Sequence, residues 1–509
     1  MGHVCAPFAA CVVVAAGCIA PPVEAPKTTV EEENHYESVQ AVKDEVDLLF
    51  LVDDSQSMAP KQEALKARFP DLINQLDAFA MGGQKASYHI GVVTSDLGAP
   101  GIGCGSNLGG KLQQRGLAKT NAAGCQGPVG KSYIEYDQRT GADNFSSTGQ
   151  SLAQTFACMA SVVDPEGTPA GHYGCGFEAQ LEAVYRALHD PIQENAGFLR
   201  PGAILAVVWI TDEDDCSVDP TSDLFAVDPS LGPLNSYRCA RYGLFCDGAL
   251  LPPEPRASFA SCAPATAAQG GKLSDVEKYV RFFTLPRTKG GVKANPKDVI
   301  LAAIAAPKDP VSSVLASGLG CGPGVTSCTN IAHACVAPDD AAFFGDPAQR
   351  LGAVVERAPH HLLTSICDKD YKSALLGIGE LINDTLEPAC LTAPIADVTH
   401  PDCVVEDLGA DGQRTSIPFC VEGSAARPCW RLCNAADGAA RNAGCGEAAL
   451  GALRKHCMPV CNPRDGRFQI VGLDIDRGGV MAAAGTTAEI ACATIAIANE
   501  DPNAACALP

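Results

Sequence analysis

The chain has 509 residues, a formal net charge of −22 and a hydrophobic content of 46%. This length allows two or three domains with buried cores, and the low aromatic content of 6% predicts that these cores are aliphatic. The acidic balance argues against a nucleic-acid partner, because the sequence offers no basic footprint for phosphates.

The first residues are typical of an export signal. The apolar stretch over residues 6–16 has the length of a signal-peptide core and is too short to span a bilayer. The run Val14-Ala15-Ala16-Gly17-Cys18 resembles a bacterial lipobox. We therefore predict a signal peptide over 1–17 and lipidation of Cys18. The alternative is plain secretion after cleavage at Ala20.

The next segment, residues 18–44, is rich in proline and then acidic. Such a composition predicts a lipidated tether or linker rather than a packed fold. We expect the protein to touch a membrane only through its N-terminal lipid. The expected location is that of an outer-membrane lipoprotein, or otherwise the cell surface or periplasm.

From residue 45 onwards, the pattern predicts strands that alternate with helices. This alternation favours an α/β fold with a doubly wound, mostly parallel sheet over residues 45–388. The last predicted strand before the acidic loop is continuously apolar, as in strands covered on both faces. We predict strands over 46–52, 88–94, 203–210 and 299–305, and helices over 60–76, 151–163, 177–189, 274–283 and 371–386.

The 25 cysteines indicate an oxidising compartment. Twelve fall between Cys104 and Cys367 and ten between Cys390 and Cys506, so we expect each region to close its own disulfides. The segments 97–150, 213–270 and 306–366 are predicted to be disulfide-pinned loops inserted into the sheet fold. Residues 389–509 are predicted to form a small, disulfide-rich, mostly β domain.

Two Cys-x₃-Cys pairs in that second region have an alternative use. Cys429 with Cys433, and Cys457 with Cys461, could supply the four thiolates of a structural zinc site. We favour disulfides, because the chain is predicted to be exported and the ten cysteines of this region make an even count.

One short motif carries the chemistry. The first predicted strand ends in Asp53-x-Ser55-x-Ser57, and the strand over 203–210 ends in Thr211-Asp212. Open α/β sheets bind ligands at the carboxyl ends of their strands. Carboxylate and hydroxyl oxygens are the donors that Mg²⁺ prefers. The alternative is that the serines and aspartates cap the helix that follows.

This pattern resembles the metal-ion-dependent adhesion site, MIDAS, of von Willebrand factor A (vWA) domains of bacterial lipoprotein type. The resemblance covers residues 45–388 and leaves the C-terminal region unexplained. It implies that Ser55 and Ser57 coordinate a metal ion, Mg²⁺ or alternatively Ca²⁺, through their hydroxyls. It implies that Asp53 and Asp212 hold the ion largely through waters, and that a carboxylate of a partner completes the octahedron.

The sequence departs from the family pattern in two places. Where the family usually has a metal-binding threonine, this chain has Cys175, with Glu178 nearby as a substitute ligand. Where the family usually has glycine after the aspartate, this chain continues as Glu213-Asp214-Asp215. We favour a solvated acidic loop pinned by Cys216, with a second, calcium-like site that includes Asp214 as the alternative. Asp54 and Asp96 also lie at predicted strand ends. We expect them to contact the metal ligands and not the ion itself.

These observations predict an exported cell-envelope protein that binds a protein or polysaccharide partner in a divalent-cation-dependent way. The alternative is a structural envelope scaffold with a degenerate metal site, in which the C-terminal domain carries recognition. The sequence has no Gly-x-Ser-x-Gly elbow, no His-Glu-x-x-His motif and no phosphate-binding Gly-Lys-Ser/Thr loop. We therefore predict a binding protein and not an enzyme.

Overall fold

The computed structural model of the chain covers both predicted folded regions. It describes residues 30–33, 45–81, 86–99, 108–116, 125–138, 140–163, 176–219, 221–317, 321, 326–385, 389–408, 413–476, 487–497 and 506. Among these residues, no helix is long and apolar enough to cross a membrane. The predicted signal peptide over 1–17, Cys18 and Cys175 lie outside the described residues.

A six-stranded sheet forms the centre of the first region, in the order β6-β5-β4-β1-β2-β3. Five strands are parallel and the edge strand β3 is antiparallel. The prediction of a mixed α/β fold with a mostly parallel sheet is confirmed. The strands are β1 (Glu45–Val52), β2 (Ser87–Thr94), β3 (Tyr133–Asp137), β4 (Ile204–Ile210), β5 (Val299–Ala305) and β6 (His360–Ser365).

Helices cover both faces of this sheet because the side chains of its strands alternate between two cores. In β1, Leu48 and Phe50 belong to one core, and Leu49 and Leu51 to the other. The first core is closed by α1 (Ala59–Met81), α2 (Leu152–Met159) and α7 (Lys372–Thr385). The second is closed by α3 (Gln180–His189), α5 (Val276–Thr284) and α6 (Gln349–Val355). Burial on both faces explains the continuous apolar runs in the sequence.

The segments predicted to be inserted loops contain more regular structure than expected. Two of them supply strands of the central sheet, β3 at one edge and β6 at the other. Strand β6 begins with His360 and His361, a polar start that conceals its strand character in the sequence. The other elements of these segments are α4 (Tyr237–Gly243), a small sheet of Leu244–Cys246, Ala249–Leu250 and Ala263–Pro264, and two hairpins, Ser313–Ser317 with Ser327–Ile331 and Cys335–Ala337 with Asp340–Gly345.

Short 3₁₀ helices complete this region. They are Gln56–Met58, Ser146–Thr148, Gln193–Asn195, Pro229–Leu231, Ala267–Gln269, Arg287–Lys289 and Pro296–Asp298. The first of them contains Ser57, the last residue of the Asp53-x-Ser55-x-Ser57 motif, and leads directly into α1.

The cysteine pairing among the described residues agrees with the expected separation into two groups. Five disulfides join residues of the first region, and five join residues of the second. The four cysteines of the zinc alternative each pair with a different partner, which excludes a zinc site made by them. The disulfides are 125–158, 216–239, 246–262, 321–328, 335–367, 390–457, 403–492, 420–429, 433–445 and 461–506.

The second region is rich in β structure, as predicted. Its core contains Trp430, Leu432 and Leu473. It has sheets of Ala389–Cys390, Val471–Asp476 and Cys429–Asn434; of Arg414–Ile417, Cys403–Leu408 and Thr487–Cys492; and of Val460–Asn462 and Arg467–Gln469, with one helix, α8 (Glu447–His456).

One short strand lies within the segment predicted to be a tether or linker. Val30–Glu33 forms a strand that pairs antiparallel with Thr494–Ile497. The tether over 18–44 stays a prediction, and this strand was not foreseen. The alternation of residues over so short a run is too weak a signal to reveal a strand whose partner lies far along the chain.

Candidate functional site

The two motif-bearing loops meet at the carboxyl end of the sheet. The backbone N–H of Asp53 donates to the carbonyl of Ile210 at 3.0 Å, which extends the pairing of β1 with β4 by one residue. The hydroxyl of Thr211 donates to Asp53 Oδ2 at 2.6 Å. Adjacent parallel strands thus bring together residues 158 positions apart. Asp53, Thr211 and Asp212 are all fully buried.

The two serines of the motif follow Asp53 in the sequence, and their hydroxyl groups bond to each other. The backbone N–H of Ser55 donates to Asp53 Oδ1 at 2.8 Å. The hydroxyl oxygens of Ser55 and Ser57 are 3.0 Å apart. Ser55 precedes the short 3₁₀ helix but makes no side-chain cap to it, so the helix-cap alternative does not describe its hydroxyl. Each hydroxyl oxygen has two acceptor lone pairs, which suits a hard cation.

Asp212 pairs with a lysine that the sequence analysis missed. Its Oδ2 accepts a hydrogen bond from Lys61 Nζ, and both side chains are fully buried. Its Oδ1 is buried and has no hydrogen-bond partner in the part of the chain that the structure describes. Lys61 also donates to the carbonyl of Ser57 at 3.3 Å, and its Nζ lies 4.0 Å from the centre of the Phe344 ring.

The sequence did contain a signal for Lys61. It follows Ser57 by one helical turn and shares its spacing with the buried Leu65 and Phe69 on α1. A lysine in an apolar helical stripe is rarely buried unless an acid pairs with it. The partner, Asp212, is 151 residues away, so it could not be named from local sequence patterns.

Carboxyl groups at this end of the sheet are crowded, and their pKa values are raised. Burial, followed by the charge of Asp212, raises the pKa of Asp53 to about 6. Burial, followed by the charges of Asp53 and Asp96, raises the pKa of Asp54 to about 8, although the Ser95 hydroxyl donates to Asp54 at 3.0 Å. Ionising these groups together is costly without an added positive charge.

Glu178 belongs to the same crowded group. It is 2% exposed, and no described residue supplies a hydrogen-bond partner for its Oε1. Burial, followed by the charge of Asp53, raises the pKa of Glu178 to about 8. Its carboxyl group bonds to that of Glu213, whose pKa is also raised well above the ordinary value by burial and by Glu178. A pair of this kind holds a proton in common unless a cation replaces it.

A small cavity lies beside these carboxyl groups. Its volume of about 30 Å³ is enough for one water or one ion. Glu178, Glu213 and Asp346 contribute to its lining. Asp346 pairs with His333 at 2.6 Å, and burial raises its pKa. His333 and Asp346 were not singled out from the sequence, because the segment that carries them was predicted to be a loop.

The rest of the acidic run is structural, which corrects the expectation of a solvated loop. Asp214 accepts from the backbone N–H groups of Arg350 and Leu351 at 3.0 and 3.1 Å, at the start of α6. Asp215 is buried, pairs with the Arg350 guanidinium at 3.1 Å and accepts from the N–H of Leu181 at 2.9 Å. Asp214 and Asp215 are therefore engaged in holding helices. The expected link through Cys216 is present, to Cys239.

The residues at the carboxyl end of the sheet fit a hard divalent cation in their chemistry. The donors are oxygen atoms, and two carboxylate oxygens, Asp212 Oδ1 and Glu178 Oε1, are buried without hydrogen-bond partners among the described residues. Within the described ranges, no group of three or more His, Cys, Asp or Glu side chains is arranged to hold a metal ion by itself. Lys61 occupies one oxygen of Asp212, its Oδ2.

No family model matches the sequence, and no curated protein is significantly similar to it. Among solved structures, the chain is similar to a von Willebrand factor type A protein from Catenulispora acidiphila, with 11% identity and a TM-score of 0.28 over 93% of this chain and 66% of that one. It is also similar to the pilus adhesin RrgA of Streptococcus pneumoniae, with 9% identity and a TM-score of 0.29 over 91% of this chain and 58% of that one. For the pilus adhesin SpaC of Lactobacillus rhamnosus GG, the identity is 10% and the TM-score 0.27 over 93% of this chain and 42% of that one. The chain thus spans less than two thirds of the length of these proteins.

Proposed function

We propose that this chain is an exported cell-envelope protein whose vWA-type domain binds a protein or polysaccharide partner through a divalent cation. The observation that carries the proposal is that the Ser55 and Ser57 hydroxyls bond to each other, that Lys61 contacts both Ser57 and Asp212, and that Asp212 Oδ1 is buried without a hydrogen-bond partner among the described residues. Ten disulfides among the described residues fit an exported protein. Anchoring through a lipid at Cys18 belongs to the same proposal.

The chain's own residues divide the work at this site. The hydroxyls of Ser55 and Ser57 would hold the ion, Mg²⁺ or alternatively Ca²⁺, with Asp53 and Asp212 as the balancing charges. Thr211 and the N–H of Ser55 fix the orientation of Asp53. The bound ion would supply a positive charge with open positions for a carboxylate of the partner. The role is binding, and we assign no chemical step to the chain.

A bound divalent ion would also offset the cost of burying several carboxylates together. Asp53, Asp54 and Glu178 are buried together, and their pKa values are raised first by lost solvation and then by repulsion from neighbouring carboxylates. An ion of charge two would stabilise the ionised forms of these groups. This argument predicts that cation binding stabilises the folded protein.

The test compares capture of native envelope components by the purified full-length protein in Mg²⁺ and in EDTA. We expect the captured partners to be lost in EDTA and lost equally in a Ser55→Ala/Ser57→Ala double variant in Mg²⁺. Ser147→Ala, at an exposed serine of the same domain, is the matched control and should behave like the unchanged protein. Recovery of the same partners in EDTA would refute a bridging cation.

One observation favours the alternative of a scaffold with a degenerate metal site. The ammonium group of Lys61 already neutralises Asp212. In that case the C-terminal domain would carry recognition, and its exposed apolar side chains, Val404, Val421 and Met458, would be candidates for contact. A melting temperature that is the same in Mg²⁺ and EDTA would favour this alternative.

A further inference from the structure

Lys61 is held in an unusual setting for a lysine. Its side chain is fully buried, at the beginning of the helix that follows the serine motif. Its ammonium group contacts Asp212 Oδ2, the carbonyl of Ser57 and the face of Phe344. Two of these three contacts belong to residues of the proposed cation site. The positive charge of Lys61 is therefore part of that site.

We propose that Lys61 is a tethered cation that competes with the divalent ion for Asp212 and so sets how much of that ion the site requires. The proposal rests on the proposed function and concerns the regulation of the same site. In the metal-free protein, the ammonium group balances one carboxylate. When the ion binds, Lys61 gives up its bond to Asp212 and the site loads only at a high concentration of the ion.

Lys61 has contacts available to its ammonium group both in the metal-free and in the metal-bound protein. If the ammonium group leaves Asp212, it still has the Ser57 carbonyl at 3.3 Å and the Phe344 ring at 4.0 Å. The face of an aromatic ring attracts a cation, most strongly where water is excluded. The charge of Lys61 thus stays inside the protein after the exchange. A positive charge that close to a divalent ion weakens binding of the ion, because little solvent screens the repulsion.

A purely structural lysine predicts the opposite effect of removal. If Lys61 only holds Asp212 in position, its loss disorders the carboxylate and weakens metal binding. If it competes, its loss frees Asp212 and strengthens metal binding. The direction of the change in metal affinity separates the two roles.

The experiment measures Mg²⁺ and Mn²⁺ affinity of the full-length protein by isothermal titration calorimetry, with melting temperatures in the same buffers. The variants are Lys61→Met, which removes the charge, and Lys61→Arg, which keeps it. Lys66→Met is the matched control, because Lys66 lies on the same helix and pairs with Glu63 and Ser161 instead. Lys61→Gln is a second neutral variant that can still donate a hydrogen bond to Asp212, for use if Lys61→Met fails to fold.

We expect Lys61→Met and Lys61→Gln to bind the ions about tenfold more tightly or better, while Lys61→Arg and Lys66→Met stay close to the unchanged protein. In EDTA, Lys61→Met should melt at a lower temperature, and Mn²⁺ should restore it. Unchanged or weaker binding in both neutral variants, with clear binding by the unchanged protein, overturns the role of Lys61 and leaves the proposed function standing. Failure of every variant to bind either ion overturns both.

Discussion

Buried carboxylates have opposite surroundings at the two ends of the central sheet. At the amino end of β1, Asp47 accepts bonds from the backbone N–H and the guanidinium of Arg200, both at 2.7 Å, and lies 3.6 Å from Lys293 Nζ. At the carboxyl end, Asp53 and Asp54 have mainly other carboxylates and hydroxyls around them. One strand thus begins in a neutralised network and ends in an acidic one.

The difference separates structure from function within one architecture. A buried charge that is fully paired has little charge left over for a ligand, and removing its partner is costly. A buried group of like charges destabilises the fold, and such a group persists where binding or catalysis uses it. The carboxyl end, with Lys61 as the one cation that contacts Asp212 within the described residues, is therefore the end at which a ligand is expected.

The largest expected effect comes from removing the acid at the paired end. Asp47→Asn leaves the charges of Arg200 and Lys293 buried with a neutral partner, so we expect a loss of about 3–5 kcal/mol in the free energy of unfolding. Guanidinium unfolding followed by the fluorescence of Trp209, in a Trp430→Phe background, measures this domain. Asp53→Asn in EDTA should lose far less, because repulsion is relieved. Equal losses of unfolding free energy in Asp47→Asn and Asp53→Asn would contradict the difference between the two ends of the sheet.

The next effect tests whether the acidic end depends on a cation supplied from outside the motif. Arg350 is the buried partner of Asp215, at 3.1 Å, and its backbone N–H binds Asp214. Arg350→Met should cost about 3 kcal/mol and displace the loop that carries Asp212. We therefore expect it to abolish the rise in melting temperature on adding Mg²⁺ as well. A variant that loses stability but keeps the full Mg²⁺ response would show that the loop is positioned without Arg350.

The paired end and the fold were more accessible to sequence reasoning than the acidic end. Strand β5 has the bounds that its apolar run predicts, and β1 and β4 differ from the prediction by one residue each. Long apolar runs and the motif ending β1 are local signals. Strand β6 and the antiparallel β3 were missed, because short strands at a sheet edge are less apolar and lay among cysteines and glycines.

The chemistry of the site was only half predictable for a related reason. The sequence placed Asp53, Ser55, Ser57 and Asp212 at strand ends, and adjacency of β1 and β4 then brings them together. Lys61 pairs with a residue 151 positions away, and Asp346 reaches the site from a hairpin whose own course was not predicted. Contacts of that range depend on the complete topology, which local periodicity does not determine.

A smaller effect is expected from pH on the metal-free protein. The pKa values of Asp54 and Glu178 are raised to about 8 from 3.8 and 4.5, so between these limits the folded protein binds protons that the unfolded chain does not. Stability should therefore be complete near pH 4 and fall as the pH rises through 8, by at most about 1.4 kcal/mol per unit of pKa difference. Mg²⁺ should flatten this decline.

The paired end gives the matching control for this pH dependence. Burial lowers the pKa of Lys293 to about 8 from 10.5, so its contribution to stability rises with pH only above 8. Asp54→Asn should remove part of the decline between pH 4 and 8 in EDTA. Melting temperatures across this range measure both. A stability that rises from pH 4 to 8 in EDTA would contradict the assignment of raised carboxyl pKa values to this end.

The smallest effect on the fold, and the sharpest on binding, is expected from the serines. The hydroxyl of Ser57 bonds to that of Ser55, and Ser57 is only partly buried. Ser57→Ala should therefore change the free energy of unfolding in EDTA by about 1 kcal/mol or less. It removes one oxygen donor of the cation, so the rise in melting temperature with Mg²⁺ should fall or disappear.

Ser95→Ala is the control variant, because the Ser95 hydroxyl bonds to Asp54 at 3.0 Å and lies outside the motif. That variant should lower stability in EDTA and keep its response to Mg²⁺. If Ser57→Ala responds to Mg²⁺ like the unchanged protein and like Ser95→Ala, the Ser57 hydroxyl is not a cation ligand, which leaves Lys61 and protons to neutralise the acidic end of the sheet.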